Sequence, residues 1–206
     1  MFDWILPEDH AIALLKKDHD SVKALFEAFE KAKTPAARQK IAAQAVTELK
    51  IHAVLEEEIF YPAVRAHVGS KPMNEADEEH HIAKVLIAEL DTITDKNDHR
   101  DAKFTVLSES VRHHIKEEEN EVLPKARELK MDFEALGRRM LGRKKELLKS
   151  GIPADSEHAM VEASGGRADS PAMAANGRTQ AVTAKPPLSH PPNDMRASAK
   201  QGESYG

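Results

Sequence analysis

The chain has 206 residues, a formal net charge of −5 and no cysteine. That length suits one domain with a real core plus an appendage, and the mild acidity argues against holding nucleic acid by bulk charge. Without cysteine, disulfides, thiolate nucleophiles, zinc fingers and cysteine-ligated iron–sulfur clusters are excluded, which leaves histidines and carboxylates as metal ligands. No apolar run reaches the roughly 18 to 20 residues of a membrane span. The opening MFDWILPEDH is acidic and lacks a long apolar stretch, so the expectation is a cytoplasmic protein with no signal peptide and no membrane or nucleic-acid partner.

Up to about residue 150 the composition is Ala, Leu, Glu and Lys, which favour helix. The first helix is expected from Glu8 to about Lys33, with Ile12, Leu15, His19, Val22, Phe26 and Phe29 on one stripe. Thr34-Pro35 restarts the chain, and the second helix carries Ile41, Ala45, Leu49, His52, Glu56, Ile59 and Ala63. A break at Gly69 to Pro72 precedes a third helix from about Met73 to Ile93, with His80, Ala83, Ile87 and Leu90 on its stripe. After the polar turn TDKNDHRD, the fourth helix carries Phe104, Leu107, Val111, His114, Glu118 and Val122. Four such helices predict an all-α, antiparallel up-down four-helix bundle over about 8–130, built from two repeated hairpins. A shorter fifth helix over about 132–149 packs outside it and completes a domain of residues 1–150. Residues 151–206, rich in Pro, Ala, Gly and Ser, are expected to be a disordered tail. A proline after Tyr61 is expected to kink the second helix.

An internal repeat carries the functional signal. His52 and His114 are 62 residues apart, and so are Glu56 and Glu118, and Pro62 and Pro124. KKDHDSVKALFEAF around His19 resembles DEEHHIAKVLIAEL around His80, with Lys23 and Lys84 each four residues after the histidine. Each hairpin therefore reads His…His-x-x-x-Glu. Residues four apart share a helix face, so His52 pairs with Glu56 and His114 with Glu118. Pointed inward, these pairs meet His19 and His80. Four imidazoles and two carboxylates suit two metal ions bridged by the glutamates, and the set favours iron, manganese or zinc over calcium or magnesium. Two divalent ions against two carboxylates leave positive charge for a bridging oxide or hydroxide, or for an anion such as peroxide. Without metal, six buried polar groups would have to satisfy one another, which is costly.

Other histidines carry no such pattern. His81 and His113 sit one residue off their stripes, His10, His67 and His99 lie near helix ends, and His158 and His190 fall in the expected tail. Glu57, Glu58, Glu117, Glu119 and Glu121 read as a solvated face that could include one partner for a ligand histidine. The Glu-x-x-His plan of carboxylate-rich di-iron bundles occurs once, at Glu78 and His81, without a second copy.

Residues 10 to 130, and above all HAVLEEEIFYP and HIKEEENEVLP, resemble the hemerythrin-like HHE cation-binding family, with its H…HxxxE…H…HxxxE signature. The resemblance implies a non-heme di-iron centre in a four-helix bundle that meets dioxygen, peroxide or nitric oxide. Its ligands would be His19, His52, Glu56, His80, His114 and Glu118. The oxygen-carrying hemerythrins place a second histidine where this chain has Lys84, and their last carboxylate lies five residues after the fourth-helix histidine rather than four. These departures favour redox chemistry, peroxide breakdown, nitric-oxide response or iron handling over oxygen transport. A sensor that signals through the tail without turnover is the alternative.

Overall fold

The computed structural model describes residues 6–93 and 99–164. The sequence stripes become the buried faces of the helices. Helix α1, Ala11–Lys31, buries Ile12, Leu15, His19, Val22, Phe26 and Phe29 and no residue of its charged face. His10 caps it, its Nδ1 accepting from the Ile12 N–H at 3.2 Å. Helix α2, Pro35–Leu55, starts where Thr34 accepts from the Ala37 N–H at 3.2 Å, with Pro35 in the first turn where its missing donor costs nothing.

The second helix does not run straight on. After Leu55 the backbone widens into a π-helical turn, Glu56–Phe60, and returns to helix as α3, Tyr61–Val68. Pro62 supplies the reason: it has no N–H to donate and its ring clashes with the carbonyl four residues back. The wider turn closes instead with the Tyr61 N–H bonded to the Glu56 carbonyl, five residues back. The extra residue moves the stripe by one position, so Val64 is buried and Ala63, expected on the stripe, is exposed. The kink expected at Pro62 thus takes the form of a π turn ahead of it.

Gly69, at φ 100°, reverses the chain in a conformation that favours glycine. Helix α4, Ser70–Thr92, begins directly after it, so Lys71 and Pro72 belong to its first turn and not to the break. Helix α5 is His99–Glu117, followed by a second π turn, Glu118–Val122, and α6, Leu123–Arg127. Pro124 plays the part of Pro62, and the Leu123 N–H bonds to the Glu118 carbonyl. The main packing pairs are α1 with α2 and α4 with α5, the two hairpins.

Helix α7, Phe133–Ser150, is the expected fifth helix. It approaches the start of α1 so closely that a Cβ at Gly137 would lie 1.8 Å from the Asp9 carbonyl oxygen, a contact only glycine permits. The folded chain then continues beyond residue 150, contrary to the expected tail. Residues 151–155 lead into α8, Ser156–Ala163, which Asp155 caps and which packs on α4 with Glu157 and Val161 buried. Local apolar content is low there, and α8 combines the buried Val161 with ion pairs from Glu157 to His81 and from His158 to Asp91. The rest of the expected tail, with His190, lies outside the described residues. No described helix is long and apolar enough to cross a membrane.

The core falls into two clusters. One gathers Leu15, Leu55, Ile59, Phe60, Tyr61 and Met140, and the other Val22, Phe26, Phe29, Leu49, Phe104 and Leu107. Each buried aromatic or leucine contributes about 1.5–3 kcal/mol. On α1 the boundary between the clusters falls at His19, between Leu15 and Val22, and on α4 at His80, between Ala76 and Ile87. The histidines form the layer where the two apolar clusters part.

Candidate metal centre

All six expected residues meet in that layer. His19, His52, His80 and His114 are buried, and Glu56 and Glu118 expose only 0 and 1 % of their surface. The Nε2 atoms of His19 and His52 lie 3.2 Å apart, as do those of His80 and His114. Glu56 Oε2 is 3.2 Å from His52 Nε2 and 3.3 Å from His80 Nε2, so this carboxylate spans both hairpins. Glu118 Oε2 lies 3.1 Å from His19 Nε2. Two overlapping sets of potential ligand atoms result: His19, His52, Glu56 and Glu118 in the first, and Glu56, His80 and His114 in the second.

The π turns explain how the glutamates reach this layer. Each turn begins at the glutamate, one helical turn after its histidine, and its widened backbone keeps both the Glu and the following apolar residues facing inward.

Around the imidazoles stands a second ring of carboxylates. His80 Nδ1 is 2.9 Å from Glu57, His114 Nδ1 is 2.9 Å from Glu79, and His19 Nδ1 is 3.0 Å from Glu119. Lys84 and Lys23 in turn pair with Glu57 and Glu119 at 3.1 and 3.3 Å. Glu57 and Glu119 are therefore not simply part of a solvated face. Each crosses from one hairpin to orient a histidine of the other. Their sequence signal was present as the Glu-Glu pairs 56–57 and 118–119, one repeat apart, and Glu79 and Asp18 each directly precede a core histidine. The repeated lysines find their explanation here as well.

A carboxylate on Nδ1 holds the proton there, so that an imidazole which gives its other proton up to a metal directs its Nε2 lone pair away from that carboxylate. For His19, His80 and His114 that direction is the centre of the layer. The carboxylate oxygens of Glu56 and Glu118 are buried there too and accept no hydrogen bond, because the nearby Nε2 atoms are not aligned to donate. Lone pairs and anionic oxygens converging in a buried space call for positive charge. The electrostatics say the same in terms of protons. Burial opposes the charged form of His52, but Glu56 and the carboxylate of Asp18 outweigh it and push its pKa up to about 10. His80 is likewise buried, and Glu56 and Glu57 push it up to about 9. Glu56 is held well below the ordinary carboxylate range, as His52 and His80 override the cost of burying its charge. The bond to His19 lowers Glu119 to about 2. A field that draws protons onto imidazoles will draw a metal cation in their place.

Tyr61 closes one side. Its hydroxyl lies 3.2 Å from His80 Nε2, and burial, followed by the charges of Glu56 and Glu118, raises its pKa well above the ordinary value. The remaining described histidines stand apart from the cluster. His113 is exposed against Glu117 at 3.2 Å, His81 pairs with Glu157 at 2.8 Å, and His10 stacks on Phe133. His158 lies 2.7 Å from Asp155 and 3.0 Å from Asp91.

The hemerythrin HHE cation-binding domain model matches residues 10–126. The chain belongs to that family. Its metal-binding character follows, and the two histidine–glutamate sets are where this domain could hold cations. The fold also matches the crystal structure of a hemerythrin HHE cation-binding domain-containing protein of Mycobacterium kansasii. The TM-score is 0.59 at 23% identity, over 68% of this chain and 88% of that one. A DNA nickase of Nostoc sp. (strain PCC 7120 / SAG 25.82 / UTEX 2576) is 27% identical over 107 residues, which cover 52% of this chain and 30% of the nickase. The chain thus spans less than a third of that relative's length.

Proposed function

We propose that His19, His52, Glu56, His80, His114 and Glu118 bind two iron ions in this HHE domain, and that the centre reacts with dioxygen, peroxide or nitric oxide in oxidative or nitrosative stress or in iron handling. The observation that carries this reading is the convergence of four imidazoles on two buried carboxylates whose oxygens accept no hydrogen bond. Histidine and carboxylate ligands in this proportion suit iron, with manganese or zinc as weaker candidates. Bound iron would supply redox chemistry toward small oxygen and nitrogen species. The chain's own residues prepare for it. Glu57, Glu79 and Glu119 hold three of the imidazoles in the metal-binding tautomer. Tyr61 offers a hydroxyl at the cluster that can donate to, or accept from, whatever stands beside His80. The two apolar core clusters pack on either side of the layer. The likeness to the nickase covers under a third of that protein, and its nicking activity is not carried over.

Metal analysis and optical spectroscopy of the chain expressed in iron-rich medium test this directly. About two irons per chain are expected, falling to about half or less in His52→Ala. Trace iron, with metal content and folding unchanged in His52→Ala, overturns the reading. Sustained peroxide consumption separates a reactive centre from a sensor that binds without turnover.

A further inference from the structure

A cavity of about 220 Å³ adjoins the cluster and is larger than a diatomic ligand or peroxide requires. The four histidines line it, together with charged side chains such as Asp18, Glu57, Glu79 and Lys84, whereas Glu56 and Glu118 are not in its lining. It is therefore distinct from the space among the ligand atoms. Its body is walled by buried Val22 and Leu49 from one hairpin and by buried Ile87, Val111 and Ile115 from the other. Where α2 faces α4, Ala53 and Ala83 border it, and the chain after α7 covers it with Ile152, Pro153 and Ala154. That cover is tied down on α4, and Lys50 of α2 joins it at Asp91. His158 and Lys50 share Asp91 at 3.0 and 2.6 Å, and Glu157 meets His81 at 2.8 Å.

Volume and wall chemistry select the occupant. One water takes about 30 Å³ of liquid, and a dry apolar cavity of about 150 Å³ suffices for benzene. Water in this cavity would find polar partners at the histidines and at lining side chains such as Asp18, Glu57, Lys84 and Asp91, whereas the wall of Val22, Leu49, Ile87, Val111 and Ile115 favours hydrocarbon. We propose that the cavity binds a compact hydroxyl-bearing organic molecule. Its apolar body, about the size of a benzene ring, lies against Val22, Leu49 and Ile87, and its hydroxyl is directed at the histidines. The inference names the substrate class for the metal centre and rests on that reading for what the hydroxyl meets. The apolar walls act on the body whether or not metal is present.

The test uses the full chain loaded with zinc, which is redox-inert, and 4-fluorophenol as the probe, followed by fluorine NMR. Saturable binding of one probe per chain is expected, with a dissociation constant below about 1 mM. Ala83→Phe, which puts a ring into the wall, should weaken binding at least tenfold with zinc content unchanged. Absence of saturable binding to the wild-type chain, or wild-type affinity in a folded Ala83→Phe, overturns the proposal. If Ala83→Phe does not fold, manganese loading decides. A probe in the cavity then shows a strongly broadened fluorine line, and a bound probe whose line stays sharp sits elsewhere and overturns the proposal. Zinc content is read separately. A chain that binds the probe but not zinc defeats the metal reading and leaves the cavity, while a chain that binds zinc but not the probe defeats the cavity alone.

Discussion

The two hairpins supply the same ligand set but do not hold it equally. In the second, both imidazoles are tied at Nδ1, His80 to Glu57 and His114 to Glu79, each at 2.9 Å. In the first, His19 is tied to Glu119 at 3.0 Å, but His52 Nδ1 has no hydrogen-bond partner. Its natural partner is Asp18, which occupies the place in α1 that Glu79 occupies in α4. Asp18 Oδ2 stands 3.9 Å away, while Asp18 Oδ1 pairs with Lys144 of α7 at 2.6 Å. The difference comes from an element that has no counterpart in the repeat. A duplicated hairpin makes a symmetric cage, and an added helix on one side makes the two halves chemically distinct.

The largest effect should come from the residue that belongs to both halves. Glu56 lies against His52 and His80, whereas Glu118 belongs only to the first ligand set. On the proposed reading, Glu56→Ala should reduce bound iron to below about a tenth of wild type, since removing a shared anion leaves both sets short. Glu118→Ala should leave about half. Elemental analysis beside thermal melts checks this, and equal losses from the two variants would remove Glu56 from its bridging place.

The supporting carboxylates offer a finer contrast. Removing a carboxylate behind a ligand histidine typically lowers metal affinity about 10–100-fold. Glu79→Ala should do so for the second set, because His114 depends on it. Asp18→Ala should change affinity less than about threefold, because Asp18 is already turned toward Lys144. Competition titrations against a zinc chelator measure both. Equal losses would mean that Asp18 supports His52 as fully as Glu79 supports His114.

Much of this was legible in the residues. The stripes through His19, His52, His80 and His114 gave the bundle and its inward faces, because a period near 3.6 is written directly in the chain. The 62-residue repeat separated His114 and Glu118 from their crowded neighbours, and the structure puts both in the buried layer. Three features lay beyond that reading. The π turns depend on which carbonyl a proline displaces, so the shift from Ala63 to Val64 cannot be seen in a hydrophobic pattern. Glu57 and Glu119 looked like solvent-facing charges because each finds its histidine on the other hairpin, a contact no single-helix pattern encodes. Helix α8 was missed because it buries little apolar surface, Val161 being its one buried apolar residue, and so shows no apolar stripe.

The asymmetry can also be reversed. Lys144→Met keeps most of the apolar stem of the side chain and removes the charge that holds Asp18. Asp18 is then free to turn the short distance to His52 Nδ1, which would give all four imidazoles a carboxylate behind them. The lost ion pair is partly buried, and a new bond between His52 and Asp18 offsets its loss, so the fold should persist. Metal release from the wild-type chain into excess chelator should be biphasic, with the faster half belonging to His19 and His52. In Lys144→Met that faster phase should slow several-fold toward the other. An unchanged fast phase, in a variant whose melting temperature matches wild type, would place the inequality of the two halves somewhere other than in the reach of α7 toward Asp18.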